Sequence, residues 1–245
     1  MPSEFFSLLA FVFLKYALMF GVPYLIFWKF FPALFRRSKI QLKERAPTQA
    51  LFEIKYSMVT VFLQGCFLFS VLWLQRQGRI QLYPGFASHG YWTEVLAFIG
   101  YFVVYDTYFY WSHRLLHWGW FYRKVHVVHH RSLNPTPLAS YSFHPVEAVL
   151  SLIYFYPVLF LFPMSQELFL ALLLLTDIGN LAGHLGYDLL PRFMWKGWVT
   201  TPTHHNMHHQ FSRCNFGLYW GGWDQIFRTL HPKTREEFYR IKDQA

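Results

Sequence analysis

The sequence predicts an all-α integral membrane protein with about three single spans, a helical hairpin and a histidine-rich helical cap on the cytoplasmic side. Three observations carry that expectation. Apolar residues make up 54% of the 245, aromatics 22% and charged residues only 14%, against the usual charged share of about a quarter. Apolar runs of about twenty residues recur, each long enough to cross a bilayer core of about 30 Å. Nineteen of the 22 lysines and arginines lie in 29–55, 113–145 and 184–245, leaving only Lys15, Arg76 and Arg79 elsewhere; such a bias marks the cytoplasmic face.

The elements follow in order. Residues 5–31 form the first span, interrupted by Lys15 and Pro23. A cleaved signal peptide is disfavoured there, because Glu4 stands where basic residues are needed and no small-residue cleavage site follows. The basic stretch 36–45 ends that span, 54–75 makes the second, and QRQGRIQLYPG turns the chain. The third span, 92–112, delivers His113 at its end. Residues 146–163 and 166–183 then read as a hairpin joined at Pro163-Met164-Ser165, its first arm kinked by Pro157. With the basic loop inside, this count of crossings puts 113–145 and 184–245 on one side as the catalytic cap. The chain is expected to be a single membrane domain, 1–245, without internal repeats.

Net charge is +9, yet the basic residues follow membrane side rather than an aromatic-interleaved patch, which argues against nucleic acid. Cys66 and Cys214 are too few for a disulfide framework and are expected to be reduced.

Thirteen histidines dominate what remains, and nine fall at helical spacings. His113 and His117 are four apart; His126, His129 and His130 read H-x-x-H-H, as do His205, His208 and His209; Asn180 and His184 form another i, i+4 pair. Each set is expected to project from one side of its helix. Imidazole is a common transition-metal ligand; nine are too many for one ion and suit two ions sharing a cavity. A zinc-protease H-E-x-x-H motif is excluded because Arg114 follows His113, and no cysteine joins any cluster to make a thiolate zinc site.

Acids near the clusters are candidates to take the second N–H of a ligand imidazole. Asp106 and Asp177 precede His113 and His184 by seven residues, two helical turns, with interhelical hydrogen bonding as the alternative role. Asp224 lies near the last cluster and His204 adjoins it; His144, before Pro145, either caps a helix or lines the site. Tyr105, Phe109, Tyr110, Trp111 and Trp118 are candidate walls of an apolar channel, or simply packing.

The runs HRLLH (113–117), HVVHH (126–130), NLAGH (180–184) and HNMHH (205–209), followed by WDQIF (223–227), resemble the histidine boxes of the fatty acid hydroxylase/sterol desaturase superfamily of integral-membrane di-iron oxygenases, over about residues 95–230. The resemblance implies that the nine histidines hold two iron ions per chain, and that dioxygen is the co-substrate. It implies hydroxylation or desaturation of a C–H bond in a sterol, fatty acyl chain or related lipid. The choice of iron over zinc rests on this resemblance, since imidazole count does not select the metal. Asn180 stands where some relatives carry histidine, which leaves it as a candidate for holding a metal-bound water instead. Spans and boxes use the whole chain, so electrons are expected from a separate donor of cytochrome b5 or ferredoxin type. The location implied is the endoplasmic reticulum in a eukaryote or the inner membrane in a bacterium. The alternative is a histidine-lined metal transporter, although transporters place ligands near mid-membrane in broken helices, whereas these boxes sit at and beyond helix ends.

Overall fold

The computed structural model describes residues 2–42, 46–195 and 197–244. Lys43, Glu44 and Arg45 of the basic stretch and Lys196 lie outside the described residues. The chain is mostly helical: α1 (Pro2–Phe30), α2 (Gln49–Arg76), α3 (Tyr91–Leu116), α4 (119–130), α5 (Pro145–Leu161), α6 (Gln166–His184), α7 (Pro202–Phe211), α8 (Gly222–Ile226) and α9 (Thr234–Gln244). Helices α1, α2 and α6 are long and apolar enough to cross a membrane. The 26 residues of α3 have the length, at about 1.5 Å each, but Glu94, Asp106 and many tyrosines and tryptophans lower its mean hydropathy.

Local chemistry accounts for the irregular points. Pro23 has no N–H to give the preceding turn, and α1 passes it with wider π turns at Ala17–Gly21 and Leu25–Phe30. Pro157 deprives the Ile153 carbonyl of its donor, and α5 breaks beside it at Tyr154 before resuming over Phe155–Leu161.

The bundle has two different ends. At one, β1 (Leu82–Tyr83) pairs in parallel with β2 (Met164–Ser165), joining the α2–α3 turn to the apex between α5 and α6. Glu94 closes this end, accepting from Tyr83 Oη at 2.8 Å, Ala87 N at 3.2 Å and Ser165 N at 3.3 Å. At the other end, α3 delivers His113, α6 delivers His184, and α4 and α7 fold across them. Outward faces are apolar: Phe6, Phe13, Leu14 and Leu18 on α1 and Leu96, Ile99 and Val103 on α3 are more than half exposed. A contiguous apolar exterior of this kind marks a surface made for lipid or a partner. Inward, Val12, Phe20, Val71, Ala97, Tyr101, Val158 and Leu172 form part of one continuous core.

Candidate metal centre

The structure brings all nine sequence-predicted histidines together. They form two groups, His113, His117, His126, His130 and His208 in one and His129, His184, His205 and His209 in the other, and within each group one ring nitrogen per residue lies within 4.8 Å of all the rest. Every one is buried except His117, which is partly so.

The grouping corrects the expectation that each H-x-x-H-H set faces one way. His126 and His130, at i and i+4, share the five-histidine group while His129 faces the other; likewise His205 and His209 stay together while His208 crosses over. Adjacent helical residues point about 100° apart, so each triplet divides between the two clusters rather than serving one.

Ring orientation is set by acceptors around the clusters. A backbone carbonyl can only accept, so an imidazole nitrogen facing one must carry the proton. His113 Nδ1 donates to Phe216 O at 2.9 Å, His208 Nδ1 to Cys214 O at 2.7 Å, His184 Nδ1 to Asn180 O at 2.7 Å and His129 Nδ1 to Ser142 O at 3.3 Å. Their Nε2 atoms therefore present lone pairs inward.

The inward ring nitrogens lie close to one another. His184 Nε2 lies 3.1 Å from His129 Nε2, 3.2 Å from His205 Nε2 and 3.1 Å from His209 Nε2. In the other group His208 Nε2 is 3.0 Å from both His117 Nε2 and His130 Nε2. Between His129 and His184 neither Nε2 has a proton to share, so the contact is repulsive unless a cation lies between them. Two nitrogens about 2.1 Å from one ion stand about 3.0 Å apart at a right angle and about 3.4 Å apart in a tetrahedron. The observed separations are short enough for neighbouring nitrogens to share one ion.

Burial also selects the metal-binding protonation state. It pushes His126, His129, His130, His205, His208 and His209 well below the ordinary imidazole value, and neighbouring imidazoles add to the effect. His117 is brought down to about 2 by burial and the nearby His113. Neutral imidazole is the form that ligates metal.

The acids named from sequence divide. Asp224 serves the centre indirectly: it accepts from Phe216 N and Gly217 N at 2.8 Å each and from Thr229 Oγ1 at 2.7 Å, fixing the loop whose Phe216 carbonyl holds His113. His204 lies 3.2 Å from it. Burial would raise the Asp224 carboxyl, but His204, Thr229 and the Gly217 N–H outweigh it and hold the group below the usual carboxylate range. Asp106 instead accepts from Trp220 N at 3.1 Å, and Asp177 pairs with Lys15 at 2.6 Å; neither receives a ligand imidazole, because seven residues of helix carry them away from the rings. Asn180 supplies its carbonyl to His184, while its side-chain amide donates to Thr176 O at 3.1 Å. His144 caps α5, its Nδ1 accepting from Val146 N at 3.3 Å.

Glu147 was not anticipated. Its Oε1 is 2.7 Å from His126 Nδ1 and its Oε2 has no hydrogen-bond partner among the described residues. This is a carboxylate–histidine pair of the kind that orients metal ligands. Its one sequence signal is a lone acid near the start of an apolar arm.

A cavity leads from His113, His126, His129, His184 and His205 into the bundle, walled by α2, α3, α5 and α6. Of the candidate wall residues, Tyr105 and Phe109 line it. Tyr110 instead stacks on Trp223 and Phe227, Trp111 meets Phe227 edge-on, and Trp118 is 73% exposed.

Comparison with known proteins agrees with this arrangement. Residues 98–229 match the family model for fatty acid hydroxylase. The chain is similar to lathosterol oxidase of Homo sapiens, 29% identical over 194 residues, 78% of this chain and 61% of that one. It is also similar to a Delta(7)-sterol 5(6)-desaturase of Gibberella zeae, 32% identical over 143 residues, 58% of this chain and 44% of the relative. The chain thus spans between 44% and 61% of the length of these relatives. No solved structure matches. With the matched region covering more than half of the chain and holding all nine clustered histidines, the chain belongs to the fatty acid hydroxylase family.

Proposed function

We propose that the nine histidines hold two iron ions and that the protein oxidises a C–H bond of a membrane lipid with dioxygen. A sterol is the substrate class favoured by the names of the relatives, which are sterol oxidases and desaturases. The observation that carries the reading is the gathering of nine imidazoles into two compact clusters, within which the unprotonated Nε2 atoms of His129 and His184 stand 3.1 Å apart. When bound, iron would supply the activation of dioxygen and the abstraction of hydrogen from carbon.

The chain's own residues do the rest. Phe216, Cys214, Asn180 and Ser142 carbonyls and Glu147 fix the imidazole tautomers. Phe109, Phe143, Leu152 and Phe155 along the cavity exclude water and position an apolar skeleton beside His129 and His184. Hydroxylation and desaturation each draw two electrons from the lipid and two from a separate donor. Exposed Arg123, Lys124, Arg213, Arg228, Lys233 and Arg235 at the histidine end suit an acidic donor of cytochrome b5 or ferredoxin type. The same charges favour a cytoplasmic position for this end, with α3 and the α5–α6 hairpin crossing beside α1 and α2 as one membrane domain.

Reconstitution in lipid vesicles with ferrous iron, cytochrome b5 and its reductase tests the reading. Dioxygen consumption matched by a sterol product carrying one more double bond or hydroxyl is expected. An iron-replete protein that turns over no sterol or fatty acyl lipid would overturn it.

A further inference from the structure

Away from the histidines, polar side chains from four parts of the chain meet inside the bundle. Lys15 Nζ of α1 lies 2.6 Å from Asp177 Oδ2 of α6 and 3.0 Å from Tyr141 Oη. Tyr141, in the single turn Pro137–Tyr141 between α2 and α6, bonds through its hydroxyl to Asp177 Oδ1, and the amide of Gln64 from α2 is 3.0 Å from the same hydroxyl. Thr60 donates to the Tyr141 carbonyl at 2.7 Å.

Counting protons leaves one group over. The Tyr141 hydroxyl has one hydrogen, and Asp177, the nearer and charged acceptor, takes it. Gln64 then meets Tyr141 through its amide N–H, the orientation of an amide being assigned from its network, and its carbonyl oxygen turns elsewhere. Whichever way the amide is set, the contact with Tyr141 is its one hydrogen bond among the described residues. Gln64 is only 5% exposed and lines the cavity that runs to the histidines. An unpaired polar atom in such a place is unfavourable, and the cavity is where a partner can arrive.

From this geometry we infer that Gln64, held by Tyr141 and Asp177, anchors the hydroxyl of a lipid that carries one small neutral polar group. The inference rests on the reading of the cavity as a lipid site. Lys15 and Asp177 neutralise each other, so no spare charge awaits an ionic headgroup, and a single amide atom suits a single hydroxyl. Asp177 precedes His184 by two turns, about 10.5 Å along the axis. A hydroxyl at Gln64 therefore leaves the adjoining stretch of carbon skeleton, up to about 10 Å of it, facing the metal centre.

Binding rather than turnover tests this. Metal-loaded protein in phosphatidylcholine nanodiscs is titrated with tritiated cholesterol and with 5-cholestene, the same skeleton without oxygen; hexadecan-1-ol and hexadecane form a second pair. Native protein is expected to hold the alcohol about tenfold tighter in at least one pair, the sterol pair marking a sterol site and the other a fatty alcohol site. Gln64→Leu should bind both members equally, with metal content unchanged; Gln64→Met serves if the leucine variant does not fold. Equal binding of both members by the native protein, or a tenfold preference that survives in the variant, overturns the anchor. Iron content and dioxygen uptake on the same samples are read separately, so a failure of the oxygenase reading appears there and not in the alcohol preference.

Discussion

The two histidine groups are built from the same ligand type yet are supported differently. In the five-histidine group, His113 and His208 are held by backbone carbonyls, His126 by Glu147, and His130 Nδ1 lies 3.2 Å from Ser212 Oγ. In the four-histidine group His184 has a short carbonyl bond, His129 a longer one, and the Nδ1 atoms of His205 and His209 have no partner among the described residues. Orienting partners raise ligand basicity and pre-set the ring. The difference teaches that the two clusters should not bind metal equally: one offers five histidines with more of its rings held by partners, the other four with fewer.

The largest effect follows from removing a ligand outright. His208→Ala should cost one metal equivalent and all lipid oxidation, and His209→Ala should cost the other equivalent; metal analysis of the purified variants checks both, and full retention of two ions would break the comparison. Next, Glu147→Leu should weaken metal binding about 10–100-fold at the five-histidine group, measured by competition with a chelator, because His126 loses the partner of its Nδ1. A chelator titration of the native protein sharpens the contrast further: the four-histidine ion should leave first, giving two phases, whereas a single phase with two ions released together would show equal sites. The smallest effect concerns Gly183. A Cβ there would come within 2.9 Å of the His205 ring, so Gly183→Ala should shift His205 and weaken the four-histidine ion by about tenfold or less, leaving the other unchanged.

How much of this was legible in the sequence follows from what helical periodicity can encode. Spacing of three and four exposed the nine histidines, because ligands from one helix must share a neighbourhood. Long apolar runs exposed α1, α2 and α6, because backbone in lipid must bond to itself. The division into five and four was hidden, since it depends on how α4 and α7 are rotated about their axes. Phe216, Cys214 and Ser142 were hidden because they act through carbonyls, which every residue has. Glu147 lies 21 residues beyond His126 and meets it only after α5 folds back, whereas Asp106 and Asp177 lie on the helices that carry His113 and His184 and yet hold Trp220 and Lys15.

The central claim is that distant imidazoles hold two separate ions. Anomalous scattering at the iron edge from iron-loaded crystals measures it most directly. The account predicts two peaks per chain, one among His113, His117, His126, His130 and His208 and one among His129, His184, His205 and His209. A single peak, or two peaks lying outside these histidine groups, would contradict it.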